Sequence, residues 1–334
     1  MIIVWMPVFN EAANLQAAID SVLTQSFADF CFLISDNHST DGSSAIIDAA
    51  VQRDPRVRKV MPPQHVPSMD HMRFLYDEIL DQTQERRYSI FMGGHDLWRP
   101  DLLATLLRRA ESAPNSAIVY TDSFEIDGQD RALRQHCGWV QAAEIARPFV
   151  PQHVLLGLTH NMLWGGLWRE NLRRSVRMRH RCVGFDHLMI AEMALTGEIL
   201  YQPGSAVFLR QAKGAGSWEV YVKKHLPAET RAQPIQDFLL QLEWASDLVD
   251  RAAQGDSFFE QPAVRAMLKN SLLSAYICRY WPCLGAFEGG TTAFFGHPKV
   301  QQILATQSAC AGFYAELLAQ AQPLAAASPL TPPA

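Results

Sequence analysis

The chain has 334 residues, 48% of them apolar, enough for one large core or two modest ones. A net charge of −5 argues against a general nucleic-acid binder. Six cysteines (Cys31, Cys137, Cys182, Cys278, Cys283, Cys310) are scattered without a C-x-x-C pair, so they read as reduced core residues rather than a zinc or disulfide framework.

Ile2-Ile3-Val4-Trp5-Met6 is a continuous apolar run, as expected for a strand covered on both faces and stopped by Pro7. Met1 leads straight into it, so no signal peptide is expected. Asn10 and Glu11 begin a polar turn. Asn14 to Leu23 carries Leu15, Ala18, Ile19 and Val22 at helical spacing. Phe30 to Ile34 is the next buried strand, Asp36 to Gly42 a turn of small polar residues, and Ser43 to Val51 a helix. Strand, helix, strand, helix predicts a parallel doubly wound sheet. A short strand at Val57 to Val60 follows, then a helix over Ser68 to Leu80 with Met69, Met72, Leu75, Tyr76 and Ile79 inward. Strands are predicted at Tyr88 to Met92 and Ala117 to Thr121, another begins at Ile199-Leu200-Tyr201, and helices are predicted over Pro100 to Ala110 and from Asp186 to Gly197. Helical periodicity recurs over Gln233 to Leu248, Val264 to Cys278 and Val300 to Ala321, and the Ala-, Pro- and Ser-rich end from Pro323 to Ala334 is expected to be disordered. No apolar run reaches membrane-spanning length; the longest candidate, Ser271 to Gly285, is broken by Arg279 and Pro282.

Two polar stretches follow strand-like runs: Ile34-Ser35-Asp36-Asn37-His38-Ser39-Thr40-Asp41-Gly42-Ser43 and Phe91-Met92-Gly93-Gly94-His95-Asp96-Leu97-Trp98-Arg99-Pro100. Ligands bind at the carboxyl ends of strands in open α/β sheets, so Asp36 and Asp96 are expected on one rim over one crevice.

Pro7-Val8-Phe9-Asn10-Glu11 followed by Ser35-Asp36-Asn37 and Ser39-Thr40-Asp41-Gly42 resembles the family 2 glycosyltransferases, and the order of motifs continues to Arg210. The resemblance implies a GT-A fold: an α/β, Rossmann-like, mixed and mostly parallel sheet flanked by helices, here with a mainly helical C-terminal extension. The expected domains are 1–216 as the GT-A part, with a nucleotide-binding half at about 1–110 and an acceptor and catalytic half at about 111–216. Residues 217–322 form a helical C-terminal region, and 323–334 the disordered tail.

The resemblance also implies roles. Asp36 accepts a hydrogen bond from the nucleobase imide, Pro7 and Phe9 border the base, and Glu11 approaches the ribose. Asp41 and Gly42 shape the turn and cap the next helix. Asp96 matches the carboxylate that holds a divalent cation, Mn²⁺ or Mg²⁺, on the donor diphosphate. His95 stands beside it where relatives carry a further aspartate. Gly184-Phe185-Asp186-His187-Leu188 running to Gly197 places Asp186 as the general base for the acceptor hydroxyl. Trp164, Trp168 and Arg169 in Trp164-Gly165-Gly166-Leu167-Trp168-Arg169 are assigned to the acceptor side, since tryptophan faces bind sugar rings. Arg210 and Lys213 would meet the donor diphosphate. Plainer readings stay open at each position: Asp36, Asp96 and Asp186 as caps of a loop or helix, and Trp164 and Trp168 as core. Arg169, Arg173 and Arg177, every fourth residue, read either as a solvated helix face or as a stripe for a phosphate-bearing acceptor or an anionic membrane.

These expectations describe an inverting glycosyltransferase that moves a sugar from a nucleoside-diphosphate donor, a UDP-sugar by preference, to a hydroxyl on a glycan, lipid-linked or protein acceptor. A role in glycan or cell-surface polysaccharide synthesis follows, with a cytoplasmic location and room for peripheral contact at the inner membrane face. Two alternatives stand beside it. One is a sugar-phosphate nucleotidyltransferase, which would carry a Gly-rich basic loop that Pro7 to Glu11 lacks. The other is a degenerate nucleotide-sugar binder, favoured only by His95. The sugar, the acceptor and the oligomeric state are left open by the sequence.

Overall fold

The structure, a computed structural model, describes residues 1–82, 87–136, 147–157, 163–173, 175–176, 178, 184–210, 234–280 and 290–305. The chain divides into two compact units. One comprises Met1–Ile145, Leu158–Met178 and Met189–Ala212; the other comprises Ala146–Gly157, Arg179–Leu188 and Lys213–Ala334.

The first unit is built on a mixed sheet whose longest ladders are parallel. Strand β1 (Ile2–Val8) lies between β2 (Phe30–Asp36) and β4 (Tyr88–Phe91), parallel to both, and β2 pairs in parallel with β3 (Val57–Val60). β5 (Leu97–Trp98) pairs antiparallel with β9 (Glu198–Arg210), which runs parallel to β6 (Ser116–Ile126). β7 (Ala132–His136) folds back on β6, and β8 (Leu167–Arg169) bridges β4 and β6, antiparallel to each. Parallel strands covered on both faces read as unbroken apolar runs, and Ile2, Val4, Met6, Phe32 and Ile34 are all fully buried.

Helix α1 (Ala12–Leu23) buries Leu15, Ala18, Ile19 and Val22 in the same core, at the predicted spacing. Burial of Leu15, Ile19 and Val22 contributes roughly 1.5–3 kcal/mol each. Helices α2 (Ser43–Arg53), α3 (Ser68–Gln82) and α4 (Leu102–Ser112) follow the predicted order, α4 burying Leu102, Leu103, Leu106 and Ala110.

Several boundaries differ from the sequence reading for identifiable reasons. Pro7 does not stop β1; it pairs with Ser35 of β2, but the β4 ladder already ends at Trp5–Phe91. The missing proline N–H therefore falls where β1 has one neighbour instead of two. Asp36 is the last residue of β2 rather than the first of a turn. β6 runs to 11 residues, well past the predicted Ala117 to Thr121, and β9, which begins within one residue of the predicted Ile199, runs to 13. β9 continues through Pro203-Gly204 because a register shift opposite Tyr120 and Asp122 absorbs the extra residues, with Gly204 at φ +100°.

The arginine stripe dissolves. Helix α6 spans only Glu170–Arg173. Arg173 is buried in a two-pronged ion pair with Glu170, its guanidinium 4.4 Å from the Tyr76 ring centre. Arg177 lies outside the described residues, as do the neighbouring Arg174, Arg179 and Arg181, Lys213 and the tail from Pro323.

The second unit is helical. Helix α5 (Val150–Gly157) packs with two long helices over Pro234–Ala253 and Pro262–Tyr280. Phe238, Tyr276 and Phe294 form an aromatic centre, and Tyr276 Oη donates to Gln241 Oε1 at 2.9 Å. Shorter helices follow at Gly290–Gly296 and Pro298–Ala305. Among the described residues no helix is long and apolar enough to cross a membrane.

Candidate functional site

The two motif loops are interlocked. Asn10, at φ +57°, donates its N–H to Ser39 Oγ and accepts the Thr40 N–H on Oδ1. Glu11 N–H donates to Ser43 Oγ at 2.9 Å. Asp41 accepts from Ala12 N–H at 2.9 Å, from Ser43 N–H at 3.0 Å and from Ser43 Oγ at 2.7 Å. One carboxylate thus satisfies the opening N–H groups of both α1 and α2. Burial pushes the Asp41 carboxyl up, but the hydrogen bonds from Ser43 and Ala12 outweigh it and hold the group below its ordinary value.

Asp36 is fully buried at the end of β2. Its Oδ1 accepts the Ser39 N–H at 2.9 Å, the loop-capping role. Among the described residues its Oδ2 has no hydrogen-bond partner, and it lies 3.9 Å from Lys59 Nζ. The segment before α3 covers this end: Asn37 exchanges side-chain hydrogen bonds with Val66 N–H and C=O, and His65 Nδ1 lies 3.0 Å from Asn37 O. Phe9 is 44% exposed, with its ring centre 4.5 Å from that of His65. Behind Asp36, Ser35 Oγ and His71 Nε2 are 2.7 Å apart in a buried pair, and burial lowers the His71 pKa to about 4.

Asp96 follows β4 on the opposite side of β1, in the turn closed by its N–H donating to Gly93 O. The carboxylate is buried, and Oδ1 accepts the Arg210 N–H at 3.0 Å. His95 Nδ1 lies 3.1 Å from Glu11 Oε1, and its Nε2 3.9 Å from Asp96 Oδ1. The loop needs both of its glycines. A Cβ on Gly93 would stand 2.3 Å from Asp96 Oδ2, and one on Gly94 would stand 3.2 Å from Glu11 Cγ. Burial pushes the Asp96 carboxyl above its ordinary value, against the pull of His95 and the Arg210 N–H.

Asp96 opens on a pocket of about 230 Å³ within the first unit. Gly93, His95, Thr121, Ser123, Trp164 and Arg210 are among its lining residues. Trp164 is braced edge-on by Trp5 and Trp168, at 5.9 and 5.4 Å between ring centres. The sheet therefore brings Asp36 and Asp96 to one carboxyl edge, as the sequence predicts, but the pocket takes Asp96 and not Asp36.

Three expected site residues are spent elsewhere. The Arg210 guanidinium does not reach out toward a diphosphate; Nε donates to His95 O, one terminal amine to Asp127 O, and the other pairs with Asp130. It straps the Asp96 loop to the turn after β6. The Arg169 guanidinium, assigned to the acceptor side, is taken up by backbone carbonyls. Arg169 pairs with Tyr88 at the starting end of β4 and donates to Ala110 O, Ala113 O and Ser116 O, closing the end of α4. Trp168 is 4% exposed and donates Nε1–H to Leu163 O, a core residue supporting Trp164 rather than a platform of its own. Asp186 stands in the first turn of helix α7 (Phe185–Ala194) and belongs with the second unit. Thr121 and Ser123 escaped the sequence reading because the strand was ended at Thr121; the alternation Thr121, Ser123 on one face was the available signal.

Among the described residues no group of three or more His, Cys, Asp or Glu side chains converges to hold a metal ion alone. A single buried carboxylate does suit a cation that takes its remaining oxygens from a substrate's phosphates, the usual mode for Mg²⁺.

Residues 3–163 match the family described as Glycosyl transferase family 2. The uncharacterized protein y4gI of Sinorhizobium fredii is 29% identical over 128 residues, which cover 38% of this chain and only 14% of y4gI. Among solved structures, residues 1–349 of S. aureus TarS in complex with UDP-GlcNAc superpose with a TM-score of 0.58 at 13% identity, covering 87% of this chain and 81% of that fragment. The mannosyltransferase PcManGT of Pyrobaculum calidifontis, in complex with GDP-Man and Mn²⁺, gives 0.50 at 15% identity, covering 97% and 85%. At these identities the likeness is one of fold.

Proposed function

We propose that this chain, which carries a glycosyl transferase family 2 domain over residues 3–163, moves a sugar from a nucleoside-diphosphate donor to a hydroxyl acceptor with inversion. The observation that carries the reading is the buried Asp96 carboxylate at the wall of the 230 Å³ pocket. It is fastened by the Arg210 N–H, with the Glu11–His95 pair beside it. A buried anion is costly unless a positive charge comes to it, and its raised pKa is the sign of that cost.

Asp96 is the residue that would hold a divalent cation, which when bound would neutralise charge on the leaving diphosphate. The chain's own groups do the rest. Asp36 Oδ2 offers the acceptor that a nucleobase imide N–H would use, provided the His65 segment yields to admit the base. Phe9 would border the base, and Glu11 would meet the ribose while holding His95. A UDP-sugar is the preferred donor class, supported by TarS in complex with UDP-GlcNAc; GDP-mannose is the second candidate, on the mannosyltransferase. Asp186, by its place in the motif, is the proposed base. It would take the proton of the acceptor hydroxyl as that oxygen attacks the anomeric carbon and the nucleoside diphosphate departs with the bonding pair.

The test is turnover with UDP-GlcNAc and GDP-mannose, followed as release of UDP or GDP. Asp186→Asn should cut the rate by 10²-fold or more and leave donor affinity within about twofold, the pattern of a lost general base. Unchanged turnover in that variant removes Asp186 from the chemistry.

A further inference from the structure

We propose that Ser123 binds the sugar of the donor, its hydroxyl making a hydrogen bond to a ring hydroxyl and so helping to select which sugar is accepted. The proposal rests on the glycosyltransferase reading above and deepens it.

Three observations carry it. Ser123 is 2% exposed, and its Oγ is a buried polar atom with no hydrogen-bond partner among the described residues. The other polar side chains on this stretch of β6 are engaged. Thr121 Oγ1 donates to Ser205 O at 2.8 Å, Asp122 Oδ1 accepts from Tyr201 Oη at 2.6 Å, and Glu125 Oε1 lies 3.0 Å from His136 Nε2. A buried hydroxyl left unbonded is unfavourable, and a ligand that reaches it relieves the cost. Second, Ser123 lines the same pocket as Asp96 and Trp164. Its volume of about 230 Å³ exceeds the roughly 150 Å³ that holds a benzene ring, so there is room for one sugar ring. Third, the lining away from the Asp96 carboxylate suits a neutral polyol. Arg210 is the cationic side chain of the lining, and its guanidinium is held by His95 O, Asp127 O and Asp130. Beside Asp96 and His95, the lining offers the Ser123 hydroxyl and aromatic rings including the Trp164 indole, groups that meet the hydroxyls and the apolar face of a sugar.

The experiment is calorimetric titration of the wild-type protein, Ser123→Ala and Ser123→Cys. The ligands are UDP, GDP and a panel of UDP- and GDP-sugars, each with Mn²⁺. The readout is the ratio of nucleotide-sugar affinity to bare-nucleotide affinity. Both variants should bind the bare nucleotide as the wild type does, and lose about fivefold or more in that ratio for the sugar the wild type prefers. Cysteine keeps nearly the same volume with a weak hydrogen-bonding group, so a loss shared by both variants points to the hydroxyl and not to packing. Thermal stability of Ser123→Ala should be unchanged or higher, since no protein hydrogen bond is lost. An identical ratio for every sugar in wild type and variants overturns the proposal. Failure of the wild type to bind either nucleotide overturns the donor reading, and this proposal with it.

Discussion

Asp36 and Asp96 are both buried carboxylates at strand ends, yet the fold treats them differently. Asp36 has a hydrogen-bonded loop on Oδ1 and an unbonded Oδ2, with Lys59 Nζ 3.9 Å away and the Ser35–His71 pair behind it. Asp96 stands at a pocket wall. The sequence made both legible as acids after strands, because residue type and strand pattern are local properties. Which of them faces a cavity depends on segments distant in sequence, β6, β9 and the covering residues around His65. His71 supplies a measurable consequence. Its folded pKa, lowered to about 4 chiefly by burial, lies below the ordinary 6.5. The unfolded chain therefore binds the proton first, and the contribution of neutral His71 to stability is complete above pH 6.5 and lost as the pH falls toward 4. From this group alone, unfolding free energy should drop by about 2 kcal/mol between pH 7 and pH 5. Denaturant titrations of wild type and His71→Gln at the two values check it: the variant's drop should be shallower by that amount, and parallel drops would count against it.

At the scale of elements, the resemblance of the two loop motifs has a physical basis. Asn10, Glu11, Ser39, Asp41 and Ser43 bond to one another across about thirty residues of sequence. The pairing fixes how α1 and α2 leave the sheet edge. Asp41→Ala removes the cap of two helices at once and should cost about 2 kcal/mol or more, measured as a shift in denaturant midpoint; a change below about 0.5 kcal/mol would mean the cap is redundant. Helices and strands of the first hundred residues were legible to within a few positions, since buried parallel strands and amphipathic helices carry strong periodic signals. β5 was the exception there, and β7 and β8 were not legible either: β5 and β8 are short and their pairing partners are remote, and β7 is exposed. Where β9 begins was legible, but its length was not, since only the register shift on β6 lets the strand continue through Pro203-Gly204. The arginine stripe misled for a related reason. Spacing of four suggests a helix face, whereas Arg169 is in a strand and Arg173 is drawn into the core by Glu170.

For the whole molecule, the mixed sheet with flanking helices and a helical remainder was the expected architecture, and the compact units refine it. The second unit begins near Lys213, close to the expected boundary at 216, but also gathers Ala146–Gly157 and Arg179–Leu188. Sequence patterning assigns residues to elements in order and has no access to which separate segments pack together. The central claim is that Asp96 serves a nucleotide donor through a cation, and the most direct measurement is a thermal-shift titration with UDP and GDP, with and without Mn²⁺, on wild type and Asp96→Asn. Asparagine keeps the acceptor for the Arg210 N–H while removing the charge, so the fold is retained. The account predicts that one nucleotide stabilises the wild type in a Mn²⁺-dependent manner, by mass action, and that Asp96→Asn abolishes the metal-dependent part. A shift of equal size in Asp96→Asn, or no shift with either nucleotide in the folded wild type, would contradict it.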